Sequence, residues 1–180
     1  MKALLVIDMQ KGDEHTFKNL YNKDKMIKNI SKLIEVFKKN KQKVIQIKIW
    51  IKNPEKTSLS KKFPQVGIAK TKEAEIIDEL KNKDYDKIIK KTNYSSFWNT
   101  DLNEYLKKNK IKELYLTGIH TGCCILFTAV DAFYRGYDVY VVEDAVSSVS
   151  DKEGIKKKIE KIKELIGESI STEELIKKLK

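Results

Sequence analysis

Residues 3–8 read Ala-Leu-Leu-Val-Ile-Asp, five apolar side chains in an unbroken run stopped by an acid. A strand with one wet face alternates polar and apolar positions, so a run with no polar position needs cover on both faces. Similar runs recur along the chain as "KVIQIKIWI", "DKIIKK", "KELYLTG" and "DVYVVED", with a short sixth candidate in "ESI" near the end. Between them the apolar residues fall at helical spacing. Met26, Ile27, Ile30, Leu33, Ile34 and Phe37 predict a helix over 24–40. Further helices are predicted over 73–80, over 99–109 with a cap at Asn99 or Thr100, over 123–135 and over 151–166. A last helix opens at a capping box around Ser171, Thr172 and Glu174. Strands alternating with helices predict an α/β fold, a three-layer αβα sandwich around a mainly parallel sheet.

The 180 residues are expected to form one domain, 1–180, since no linker or compositional break divides them. The longest irregular stretch, 52–72, holds both prolines, and loops of that length are often functional. No apolar run approaches the roughly 20 residues that span a bilayer. The opening "MKALLVIDMQ" has no small-residue cleavage site and reads as a strand rather than a leader. A cytoplasmic location with reduced thiols is therefore expected, and no membrane partner.

The net charge of +11 raises a nucleic-acid partner. Arg135 is the only arginine, however, and arginine makes the bidentate contacts to phosphate and guanine. The lysines also lie among glutamates on helical faces, as in "DKEGIKKKIEKIKEL", the pattern of a solvated coat. No specific nucleic-acid binding is expected.

In a parallel sheet the functional edge is formed by the carboxyl ends of the strands. Asp8 ends the first strand, Lys91 ends the third, and Cys123 and Cys124 follow the fourth. A carboxylate, an amine and a thiol thus converge on one edge. A thiol at the start of a helix feels the helix dipole, and a nearby ammonium adds to it, so a low thiol pKa is expected. The carboxylate can take the thiol proton and return it to a leaving group. Backbone amides at the helix start can hold an oxyanion. Spacing alone does not say which cysteine reacts.

The blocks "LLVIDMQKG", "KKTNYSSFWNTDLNEYL" and "LTGIHTGCCILFTAVDAFYRGYDVYVVEDAVSS" resemble the three signatures of the isochorismatase-like cysteine hydrolases, relatives of nicotinamidases and N-carbamoylsarcosine amidohydrolases. The resemblance implies a Rossmann-like sheet of six strands in the order 3-2-1-4-5-6. In that family the nucleophile stands four residues before the threonine of a Thr-Ala-x-Asp-Ala run, here Thr128 to Ala132, which implies Cys124. It implies Asp8 as general base and acid, with Gln10 in the same block, and Lys91 rather than Lys90 as the catalytic lysine. A cis peptide between Ile119 and His120, and an oxyanion hole of the His120 and Cys124 amides, are implied as well. Single substitutions at Asp8, Lys91 or Cys124 are expected to stop the reaction while leaving the fold largely intact.

The chain also departs from that pattern. Nicotinamidases carry an Asp-x-His pair after the second strand and further histidines that bind a metal. This chain has "IKIWIKNPEKTSL" there and only His15 and His120 in all. No metal and no cofactor are expected. The implied activity is hydrolysis of a small carboxamide or carbamoyl compound, and a homo-oligomer, dimer or tetramer, is expected. The alternatives are an isochorismatase-type ether hydrolase and a catalytically idle binding protein on the same fold. Gln10, His15, Phe17, Trp50, Tyr94, Phe97 and Trp98 are the candidates for the substrate pocket, since aromatic walls suit a small planar or apolar acyl group.

Overall fold

The computed structural model describes residues 1–12 and 17–180. Its centre is a six-stranded sheet in the order β3-β2-β1-β4-β5-β6. The strands are β1 (Lys2–Ile7), β2 (Lys43–Ile49), β3 (Lys87–Lys91), β4 (Glu113–Ile119), β5 (Asp138–Ser147) and β6 (Glu168–Ile170). All five pairings are parallel. The α-helices are α1 (Lys23–Lys39), α2 (Ser58–Lys62), α3 (Asp78–Lys81), α4 (Leu102–Lys108), α5 (Leu126–Tyr134), α6 (Lys152–Leu165) and α7 (Thr172–Leu179). Fold class and strand order match the sequence expectation.

The apolar run of β1 is divided between two cores by the period of two. Ala3, Leu5 and Ile7 join α4, α5 and α6 on one face, through residues such as Leu106, Ala129 and Ile159. Leu4 and Val6 join α1 and α7 on the other, against Ile30, Phe37 and Leu175. Cover on both faces is why the run contains no polar residue.

Parallel register brings the strand ends together. Ile7 pairs with Ile47 on β2 and with Gly118 on β4, while Lys91 pairs with Ile49. The approach of β1 to β4 is close because Gly118 has no side chain. A Cβ built there would lie 2.0 Å from the carbonyl oxygen of Ile7, and Gly118 has φ +105°. Gly118→Ala is therefore expected to destabilise the protein by about 3 kcal/mol or more, since backbone atoms must move and the conformation is one that alanine resists. Urea unfolding measures this, and a change below 1 kcal/mol, roughly the size of a neutral surface substitution, would contradict it.

Local structure departs from expectation in several places. Instead of one helix over 73–80, the chain makes a 3-10 turn at Lys72–Ala74, a bridge from Ile76 to Gln10, and one helical turn, α3. The pull of that bridge on an apolar residue outweighs a weak helical period. The 52–72 stretch contains a 3-10 turn at Pro54–Lys56 and α2. Asp101 occupies the cap position of α4; Thr100 accepts a 3.4 Å bond from Leu102 N–H, and Asn99 has φ 51°. The segment after β4 begins as a π-turn, Thr121–Ile125, before α5 starts. The capping box is present as Ser171 and Glu174. No described helix is long and apolar enough to cross a membrane.

Candidate active site

Asp8 leaves β1 in a left-handed conformation, φ 53°, with its N–H on the carbonyl of Ile47, 2.9 Å away. Its carboxylate is buried. Lys91 is the last residue of β3, and the alternation of that strand buries Lys91 while exposing Lys90. The long side chain of Lys91 reaches past the end of β2. Its Nζ lies 2.8 Å from Asp8 Oδ2 and donates to the Tyr94 carbonyl at 2.7 Å. Cys124 is 4% exposed and interacts electrostatically with both charged groups. Cys123 is only half-buried. Both the Lys91 ammonium and the Cys124 thiol face the Asp8 carboxylate within hydrogen-bonding reach.

The charges of this cluster follow from its burial. Burial works against the Lys91 ammonium, but the negative charge of Asp8, with a contribution from Cys124, raises its pKa overall. For Cys124 burial and then Asp8 act against the thiolate, and its pKa is pushed up to about 12 although Lys91 pulls the other way. The low thiol pKa expected from sequence is thus reversed in the resting site. The dipole-and-ammonium argument omitted desolvation and the neighbouring carboxylate, and the thiol lies in a π-turn ahead of the α-helix. With Asp8 ionised, a thiolate would set two negative charges against one ammonium. Burial and the Asp8 charge therefore keep the proton on the thiol in the resting site.

A thiol pKa raised on folding has a consequence for stability. Between an ordinary thiol value of about 8.5 and about 12, the native state keeps a proton that the unfolded chain releases. Stability then falls as pH rises through that window, by up to about 1.4 kcal/mol per unit. From pH 8 to 10.5 the wild type is expected to lose about 2 kcal/mol more than Cys124→Ala. Urea melts of the two at both pH values check this, and parallel losses would contradict it.

Hydroxyls and amides hold the cluster in place. Gln10 closes the ends of β1 and β2: its Nε2 donates to the carbonyls of Ile49 and Ala74, both at 2.9 Å, and its Oε1 accepts from Ile49 N–H at 2.8 Å. That leaves no amide hydrogen for a substrate. Thr128 accepts Ser96 N–H at 3.0 Å and shares a 2.9 Å bond with the Ser96 hydroxyl, tying the loop after Lys91 to α5. Thr121 N–H donates to Ser148 Oγ and its hydroxyl to the Ser147 carbonyl, fixing the turn that carries Cys124 to the end of β5. The peptide bond between Ile119 and His120 is cis, and the His120 carbonyl accepts from the N–H groups of Cys123 and Ile125. The positioning roles of Ser96, Thr121 and Ser148 had no signal in the sequence, because a buried hydroxyl looks like any other until its partner is known.

The aromatic candidates divide. Tyr94 lies beside the cysteines: burial, then the charge of Cys123 and Cys124, raises its pKa, and its ring stacks on Phe127 at 5.4 Å. Phe97 is a core residue, buried and stacked on Tyr137 at 6.0 Å with Arg135 over its ring. Trp50 stands under the ammoniums of Lys48 and Lys90, at 4.3 and 4.9 Å. Phe17 packs on the core next to α1, and Trp98 is exposed. His15 lies outside the described residues. Among those residues no three His, Cys, Asp or Glu side chains are grouped to hold a metal. A groove of about 420 Å³ lined by Tyr21, Met26, Asp144 and Ile155 does not include the cluster.

The isochorismatase domain family matches residues 2–174. The chain belongs to that family. It is 32% identical to the isochorismatase family protein YrdC of Bacillus subtilis over 147 residues, 82% of this chain and 74% of that protein. Its fold is similar to that of N-carbamoylsarcosine amidase from Thermoplasma acidophilum, with a TM-score of 0.84 and 26% identity over 96% of this chain and 97% of that one. Nicotinamidase PncA from Bacillus subtilis gives a TM-score of 0.82 and 27% identity over 94% and 98%. The protein is an isochorismatase-family hydrolase with amidase and nicotinamidase relatives.

Proposed function

We propose that this family member hydrolyses the C–N bond of a small carboxamide or carbamoyl compound through a thioester on Cys124. The observation that carries the reading is the buried Asp8–Lys91 ion pair, 2.8 Å, set against a buried neutral thiol. In this reading Asp8 accepts the Cys124 proton as sulfur attacks the carbonyl carbon. The carbonyl π electrons move to oxygen, where the amides of His120 and Cys124 take up the charge. Asp8 then passes its proton to the leaving nitrogen as the C–N bond breaks, releasing ammonia or an amine. Water attacks the thioester while Asp8 takes its proton; the C–S bond breaks, and the proton returns to sulfur. The site carries one negative charge at every stage, on Asp8 or on the substrate oxygen, to balance the Lys91 ammonium, so no step adds a second buried anion.

An amide substrate agrees with the relatives whose names specify one, an N-carbamoylsarcosine amidase and a nicotinamidase. Of the pocket candidates, Tyr94 is the one this reading places against the acyl group, as its ring adjoins the thiol. A screen of small primary amides, ureido acids and N-carbamoyl amino acids for ammonia release is the direct test. Turnover of a C–N substrate by the wild type and not by Cys124→Ala is expected. Hydrolysis of an enol ether with no turnover of any amide would overturn the proposal.

A further inference from the structure

β6 is a strand of three residues, and its pairing with β5 stops at Val142. Residues 143–147 of β5 run on past that pairing. α1 and α6 flank this end of the sheet from opposite faces. Where a longer β6 would have separated them, the groove of about 420 Å³ remains. Its walls include Tyr21 and Met26 at the start of α1, Val146 on β5, and Ile155 and Ile159 on α6. Ligands of open parallel sheets lie outside the carboxyl ends of the strands, and small-molecule pockets have about this size. The rim is charged. Lys156 and Glu160 pair with each other at 3.7 Å, and the Asp144 carboxylate accepts the N–H and the hydroxyl of Thr172. That leaves one carboxylate, Glu143, against the ammoniums of Lys25, Lys152 and Lys163.

We propose that this groove is a second ligand site, for a small carboxylate with an apolar body, coupled to the turn that carries Cys124. The apolar walls take the body out of water. The excess of ammoniums at the rim selects an anion over a neutral or cationic ligand, while Glu143, Asp144 and Glu160 on the same rim repel a polyanion. Hydrogen bonds carry the coupling. Tyr21 N–H donates to the Ser148 carbonyl at 3.2 Å, and the Tyr21 carbonyl accepts the Ser147 hydroxyl at 2.6 Å. The same two serines hold Thr121, where the Cys124 turn begins. From the other wall, the aliphatic chain of Lys158 on α6 lies over Gly122, where a Cβ would stand 3.1 Å from Lys158 Cδ. A ligand that restrains both walls therefore restrains the turn, and a buried thiol reacts through local opening. The site does not rest on the reaction proposed for Cys124.

Calorimetric titration at low salt with octanoate, octan-1-ol and octylammonium tests it. One octanoate per chain is expected to bind, with a dissociation constant below about 1 mM. Octan-1-ol is expected to bind at least about tenfold more weakly, and octylammonium not at all. Lys152→Glu/Lys163→Glu is expected to weaken octanoate by at least about tenfold with an unchanged thermal melt. Lys25→Glu should weaken it from the opposite wall. Lys56→Glu/Lys108→Glu, which reverses two lysines outside the groove, should leave binding as it was. Saturating octanoate is expected to slow alkylation of Cys124 by iodoacetamide at least about twofold in the wild type and not in Lys152→Glu/Lys163→Glu, read by peptide mass mapping. No binding, equal binding of acid and alcohol, or binding indifferent to the groove lysines overturns the site. Alkylation unchanged by bound octanoate overturns its coupling to Cys124.

Discussion

Cys124→Ala is expected to lower the turnover of an amide substrate by at least about a thousandfold, the size typical of a lost nucleophile. Asp8→Asn is expected to fall by a similar factor, because the neutral amide cannot take the thiol proton. Combining the two substitutions should cost little more than either alone. Groups that act as a unit lose their function together rather than additively. Steady-state ammonia release measures the rates. Intact mass spectrometry with a slow substrate should find the acyl group on wild-type Cys124 and none on the alanine variant. Normal turnover by Cys124→Ala would remove the cysteine mechanism.

Lys91→Met is expected to be the most damaging single change to stability, at about 3–5 kcal/mol. Lys91 is fully buried, and its ammonium faces the carboxylate of Asp8. Removing the ammonium leaves that carboxylate buried without a counter-charge, which costs far more than an exposed ion pair contributes. Sequence alone predicts a fold left largely intact by substitution at this lysine, and its burial leads us to expect a less stable one instead. Adding Asp8→Asn to Lys91→Met should recover much of the loss, since the double variant buries no net charge. Urea unfolding of the two single variants and the double variant gives the coupling directly. A Lys91→Met protein as stable as the wild type would show that the pair is not the buried unit described.

The alkaline comparison separates the same charges without removing the lysine. In Cys124→Ala no proton is held at that position, so the wild type alone should show the extra loss of stability above pH 8. The slope comes from the raised thiol pKa, and its cause is burial first and the Asp8 charge second. These experiments read distinct quantities. A protein could keep the buried ion pair and still react by another route.

The layered sheet was legible in the sequence because continuous apolar runs such as residues 3–7 have no stable place except between two covering layers. The same runs, stopped by Asp8 and Lys91, placed a carboxylate and an amine at the strand ends. Parallel register then had to bring them to one edge, as the pairing of Ile7 and Lys91 with neighbouring residues of β2 does. What the sequence could not decide depended on neighbours far along the chain. The raised thiol pKa of Cys124 follows from burial and from Asp8, 116 positions away in a 180-residue chain. Gln10 and Phe97 read as pocket residues in one dimension. Folding commits the first to three backbone groups at the ends of β2 and the 72–76 turn, and the second to a stack with Tyr137. Lys90 and Lys91 are identical in composition and adjacent in sequence. Strand alternation buries one beside a carboxylate and leaves the other over Trp50, so the tertiary structure alone gave the two lysines different electrostatic environments.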